Sequence, residues 1–128
     1  MHRKKRVLVV DDNETNLAIV QEMLEVYYDV HTALTGERAL LMARRSRPHA
    51  ILLDVMMPGM DGCEACRRFR ALPETRDAYI IMVSAKAMPS EQQAGLQAGA
   101  DDYITKPFDD GELMAKLHAA LPTASPFE

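Results

Sequence analysis

Apolar residues along this chain follow two alternating rhythms. Five short runs, at 7–10, 29–33, 50–53, 79–83 and 102–104, predict β-strands. Five longer segments carry apolar residues at helical spacing and predict helices over 14–27, 37–45, 64–72, 91–98 and 111–121. Leu17, Val20, Met23 and Leu24 mark one face of the first helix, and Leu113, Leu117 and Leu121 one face of the last. The runs Val7-Leu8-Val9-Val10 and Ala50-Ile51-Leu52-Leu53 do not alternate with polar residues. Such runs imply strands buried on both faces, as in a parallel sheet between two helix layers. Strict β-α alternation with right-handed crossovers then gives an α/β three-layer sandwich. Thr35-Gly36, Pro48 and Gly99 punctuate the pattern where elements should begin or end.

In an open parallel sheet, ligands gather beyond the carboxyl ends of the strands. The residues that close each run therefore matter most. Asp11 and Asp12 follow the first run, Asp54 closes the third, Ser84 follows the fourth, and Lys106-Pro107 comes after the fifth. Three crowded carboxylates resist simultaneous ionisation, and a divalent cation relieves them. With hard oxygen donors and neither thiolate nor imidazole in the pattern, the ion expected is Mg²⁺. Lys106 offers a fixed positive charge and Ser84 a hydroxyl donor, which together make a clamp for a transferring phosphoryl group. Asp54, at the end of a central strand, is the candidate nucleophile and would become an acyl phosphate. Taken singly, an Asp-Asp pair reads as a turn or helix cap, and a Ser or Lys-Pro after a strand means little. Their joint fall at four strand ends is what carries the reading.

Composition narrows the class further. The 128 residues suit one domain, and 48% hydrophobic with 27% charged content is ordinary for a globular protein. A net charge of −4 argues against direct nucleic-acid binding. The one basic run, His2 to Arg6, is read as a solvated lead-in to the first strand. No apolar run approaches the ~20 residues of a membrane span, and the run ending at Asp11 is shorter than a signal-peptide core of ~7–15. A cytoplasmic location is expected. Cys63 and Cys66 have C-x-x-C spacing, but no second pair exists and the segment reads as one helix, so they are expected to share a helix face rather than do redox or metal work.

The stretches Val7-Leu8-Val9-Val10-Asp11-Asp12-Asn13, Ile51 through Asp54-Val55-Met56-Met57-Pro58-Gly59-Met60-Asp61-Gly62, Val83-Ser84-Ala85, and Gly99-Ala100-Asp101-Asp102-Tyr103-Ile104-Thr105-Lys106-Pro107-Phe108 resemble the receiver domains of bacterial two-component response regulators. The resemblance runs from about Arg6 to Leu121 and is similar to single-domain chemotaxis-type regulators. It implies a flavodoxin-like, doubly wound, five-stranded sheet with strand order 2-1-3-4-5 and a cis Lys106-Pro107 bond. It further implies that Asp54 is the phosphoacceptor and that Asp11, Asp12, Asp54 and the backbone carbonyl of Met56 hold Mg²⁺. Ser84 becomes the switch hydroxyl, Lys106 the site lysine, and Tyr103 the switch aromatic that turns into space vacated by Ser84. The implied donor is a histidine kinase or histidine phosphotransfer protein, chosen through residues around 13–27. The implied downstream protein target meets the face of the fourth helix, fifth strand and fifth helix, where homodimerisation is also left open. Two departures stand out: Tyr27-Tyr28 replaces the glycine that commonly ends the first helix, and His49 stands where an aspartate commonly follows Pro48.

The receiver domain is expected over 1–121, with a frayed tail over 122–128. Such a domain is a signalling phosphoprotein that catalyses only its own phosphorylation and dephosphorylation. Met56 and Lys86, each two residues beyond a site residue, are expected to flank attacking water and tune the lifetime of the phosphorylated form. Two other readings compete. A degenerate receiver would act only in protein interaction, which the full set of site residues opposes. A haloacid-dehalogenase-like phosphatase wants Asp-x-Asp after the first strand, whereas Asp11-Asp12-Asn13 are adjacent.

Overall fold

The computed structural model describes residues 4–122. His2 and Arg3 of the basic run and residues 123–128 of the expected tail lie outside the described residues. The chain runs β1 (Arg6–Val10), α1 (Glu14–Leu24), β2 (Asp29–Ala33), α2 (Gly36–Ser46), β3 (Ala50–Asp54), α3 (Gly62–Ala71), β4 (Tyr79–Ser84), α4 (Pro89–Gln97), β5 (Asp102–Thr105) and α5 (Asp110–Ala120). The strands form one parallel sheet in the order β2-β1-β3-β4-β5, as the resemblance implied.

The continuous apolar runs are explained by two separate cores. Leu8, Val10, Ile51, Leu53, Ile80 and Met82 pack with Ala39, Ala43, Ala65 and Phe69 on one side of the sheet. Val7, Val9, Leu52, Ile81 and Val83 pack with Leu17, Leu24, Leu113 and Leu117 on the other. Each large side chain so buried contributes roughly 1.5–3 kcal/mol, which fixes register because a one-residue slip would exchange the two sides. Every residue of β3 is buried. The edge strands β2 and β5 are more open and more polar, with Asp29 exposed and Asp102 half-buried against Lys116 at 2.9 Å.

The boundaries differ from the expected ones in informative places. α1 stops at Leu24, three residues before the apolar pattern does. The amides of Tyr27 and Tyr28 both donate to the Leu24 carbonyl at 2.9 Å, so a turn caps the helix without glycine. Tyr28 then enters the core, and its hydroxyl donates to the Leu121 carbonyl at 3.2 Å and lies 3.3 Å from His118 Nδ1. The chain has to turn there because the Asp29 amide pairs with the Lys5 carbonyl. α4 begins two residues earlier than expected, at Pro89, a position in the first turn where a missing N–H costs nothing.

His49 serves as a side-chain acceptor for the backbone. Its Nδ1 accepts the Arg6 amide at 3.0 Å, where β1 begins. Burial, then the charges of Arg6 and Lys5, hold its pKa below the usual imidazole value, which favours the neutral acceptor form. Arg6 also donates its guanidinium to the carbonyls of Ser46 and Arg47, groups left unpaired at the end of α2.

Arg70 was not singled out by sequence, yet it ties the loops before β4 and β5 to α3. Its guanidinium donates to the carbonyls of Gly99 (2.9 Å), Arg76 (2.9 Å) and Ala78 (2.6 Å) and to the Asp101 carboxylate (2.7 Å). Asp101 in turn accepts the Ile80 amide at 2.9 Å. This braces the lower ends of β4 and β5 against α3. Among the described residues, no helix is long and apolar enough to cross a membrane.

Candidate functional site

β1, β3, β4 and β5 all end at one edge of the sheet, and their register decides what meets there. Asp54 pairs with Val83, and Ser84 with Thr105, so the end of β3 lies beside the end of β4, and β4 beside β5. Asp11, Asp12 and Asp54 each bring a carboxylate oxygen within 4.8 Å of the others. Asp11 and Asp54 are buried, 8% and 7% exposed, while Asp12 is exposed. Lys106 Nζ reaches in from beyond β5, 3.3 Å from Asp11 and 3.8 Å from Asp54. The Lys106-Pro107 bond is cis.

Local bonds aim these groups. Asn13, not either aspartate, caps α1, accepting the Asn16 amide at 2.9 Å. One Asp11 oxygen accepts the Asn13 amide at 3.0 Å, leaving the other to face Lys106. The Asn16 side-chain amide also points at that second oxygen, at 3.5 Å. Asp54 Oδ1 accepts the Met56 amide at 3.1 Å, and its Oδ2 faces Lys106. Beyond β3 the chain turns back, with the Gly62 amide on the Val55 carbonyl at 3.0 Å and Asp61 capping α3 through the Glu64 amide.

Ser84 is fully buried, and its Oγ accepts the Lys86 amide at 3.0 Å. The Lys86 carbonyl accepts the Tyr103 hydroxyl at 2.8 Å. One residue, Lys86, therefore links the serine to the aromatic through its amide on one side and its carbonyl on the other, a connection sequence spacing does not reveal. Met56 is half exposed beside Asp54, and Lys86 pairs with Glu91 at 3.8 Å.

Burial pushes the Asp54 carboxyl up to about 6; the Asp11 charge adds to the rise, while Lys106 and the Met56 amide oppose it. Three carboxylates gather here against the single charge of Lys106. Oxygen donors gathered around such a deficit fit a hard divalent cation, and Asp11, Asp12 and Asp54 are the residues able to hold it. The cysteines do not compete for this role. Cys66 is buried in the core with its thiol pushed up to about 11, chiefly by burial, and Cys63 is raised for the same reason.

A cavity of about 440 Å³ opens from Asp54 between α1 and α5, walled by Val9, Val20, Met23, Phe108 and Leu113. Ile19, 58% exposed, stands on its rim.

A buried carboxylate at a strand end, faced by a lysine and crowded by two more acids, defines a phosphoacceptor-type α/β domain. The chain belongs to the response regulator receiver domain family, whose description matches residues 7–118. It is a receiver domain of two-component response regulators, and receiver domains bind Mg²⁺ at an acidic site. It is 44% identical to the response regulator PleD of Caulobacter vibrioides over 115 residues, 89% of this chain but 25% of PleD. The chain thus spans about a quarter of that relative's length. Its fold resembles that of the chemotaxis protein CheY4 of Vibrio cholerae, with TM-score 0.87 and 32% identity over 92% of this chain and 99% of that one. The receiver domain of sensor histidine kinase PA1611 from Pseudomonas aeruginosa, solved with a magnesium ion in its active site cleft, gives TM-score 0.83 and 36% identity, over 91% of this chain and 96% of that one.

Proposed function

We propose that Asp54 accepts a phosphoryl group and that the domain signals by the change of shape that follows. One observation carries this: Lys106 Nζ lies 3.8 Å from a buried Asp54 whose carboxylate shares a 4.8 Å cluster with Asp11 and Asp12. In this reading Asp11, Asp12, Asp54 and the Met56 backbone carbonyl hold Mg²⁺. When bound, the ion offsets the carboxylates' repulsion and faces the phosphoryl oxygens with positive charge. An Asp54 oxygen attacks the donor phosphorus, the bond to the donor's imidazole nitrogen breaks, and an acyl phosphate remains. Lys106 balances charge on the transferred group, and Ser84 gives up the Lys86 amide to donate its own hydroxyl. Tyr103, joined to the carbonyl of the same residue, transmits that change to the surface of α4, β5 and α5.

The donor proposed is a histidine kinase or histidine phosphotransfer protein, seated over α1 and the cavity rim at Ile19. A downstream protein is met through the α4–β5–α5 face, the receiver unit runs over residues 1–121, and the setting is the cytoplasm. The domain catalyses its own phosphorylation and its own dephosphorylation rather than turnover of an external substrate. Acetyl phosphate with Mg²⁺ is expected to give one stoichiometric, acid-labile phosphoryl group by intact mass, and chelation to prevent it. Sustained turnover of small phosphate esters would instead favour a phosphatase. Because Met56 is half exposed beside the acceptor, Met56→Asn should change the rate of phosphate loss several-fold. Equal decay in the two proteins would remove Met56 from the water path.

A further inference from the structure

Glycine in a helix interior is unfavourable relative to alanine and calls for a packing reason. Gly95, buried in the last turn of α4, has one. A Cβ built there falls 2.8 Å from Met82 Sδ and 3.1 and 3.2 Å from Tyr103 Cδ2 and Cε2. Met82 and Tyr103 are cross-strand partners on β4 and β5, so α4 crosses directly over the pair. The Tyr103 ring lying in this gap is the one whose hydroxyl reaches the Lys86 carbonyl at 2.8 Å. The loop it grips is itself fastened to α4, by Lys86 to Glu91 and by the Gln92 side chain to the Ala87 carbonyl at 2.9 Å.

We propose that Gly95 is a positioning residue of the switch: its missing side chain forms the seat in α4 that holds the Tyr103 ring against Met82 and its hydroxyl on Lys86. The claim rests on the reading of Tyr103 as the switch aromatic. A methyl group at position 95 forces something to move. Met82 is fully buried, whereas the Tyr103 ring is only part-buried and its hydroxyl contact lies at the surface. The ring is therefore what yields. It turns outward, the Lys86 contact is lost, and β5 is uncoupled from the loop that carries the Ser84 bond. Gly95 has no part in the acidic cluster, so phosphorylation itself continues.

The test uses the full chain labelled with 3-fluorotyrosine, the Tyr103 resonance being assigned by its loss in Tyr103→Phe. In the wild type that resonance should be shielded from solvent, even without phosphodonor. In Gly95→Ala the ratio of seated to exposed ring should fall about fivefold, the size of one net hydrogen bond. Amide exchange in the β4–α4 loop should quicken by a similar factor. In a Tyr103→Ala background Gly95→Ala should have no further effect on that exchange. An unchanged Tyr103 signal in Gly95→Ala would overturn the proposal. So would an equal exchange effect with and without the ring, which would mark a purely helical role. Absence of phosphorylation in the wild type would count against the acceptor reading alone, since the ring population is read without phosphodonor.

Discussion

In metal-free buffer at pH 8, Asp54→Asn should be more stable than the wild type by about 2–3 kcal/mol, and the gap should close in acid. The cause is the carboxyl held at about 6 by burial against an ordinary value of 3.8. A carboxyl raised in the folded state favours the protonated form. The stability it contributes is fully present below about pH 4 and is lost as pH rises through about 6. Asparagine stays neutral throughout and escapes that loss. Saturating Mg²⁺ should restore the wild type and shrink the gap, because the ion binds the folded acidic site and not the unfolded chain. Urea unfolding of both proteins from pH 4 to 8, with chelator and with Mg²⁺, measures this. A gap independent of pH, or a less stable variant at pH 8, would refute the raised Asp54 carboxyl.

Gly62→Ala should cost about 3 kcal/mol and slow phosphorylation by about a hundredfold. A Cβ at this position would lie 2.5 Å from the Asp54 carbonyl oxygen and 2.6 Å from Val55 Cα. Both are backbone atoms, so no rotamer change relieves the contact. Either α3 lifts off the Val55 carbonyl or the segment carrying Asp54 shifts, and the acceptor moves relative to Lys106 in both cases. Gly59 provides the contrast. Its φ is +74°, but among the described residues, chain neighbours aside, an added Cβ would find within 4 Å only a Glu37 oxygen at 3.7 Å. Gly59→Ala should cost about 1–2 kcal/mol of backbone strain while leaving the phosphorylation rate near wild type. Urea unfolding and timed acetyl phosphate reactions on both variants separate the two effects. Gly62→Ala matching the wild type in stability and rate would contradict the close approach.

The central strands were legible because burial on two faces leaves a direct mark: Val7 to Val10 and Ala50 to Leu53 have no polar face to show. The groups closing those strands were legible for the same reason, since a charged residue after such a run must stand at the sheet's edge. Strand order was not readable from periodicity, which is blind to neighbours, and came from the resemblance. The end of α1 was misplaced because Tyr27 and Tyr28 extend the apolar pattern, while the turn answers to the pairing of Asp29 with Lys5. Arg70 looked like any arginine on a polar helix face. Its acceptors at residues 76, 78, 99 and 101 come together only in the folded chain. Gly95 did leave a signal, an unfavourable residue inside a helical pattern, but nothing in the sequence named the ring above which it sits.

The most direct trial of the acceptor assignment is to place the phosphoryl group on a residue. The chain treated with acetyl phosphate and Mg²⁺ is reduced with borohydride, which converts a phosphorylated aspartate to homoserine, and is then mapped by peptide sequencing. Homoserine at position 54, and none in Asp54→Ala, is the predicted result. Homoserine elsewhere, or label that survives in Asp54→Ala, would contradict it.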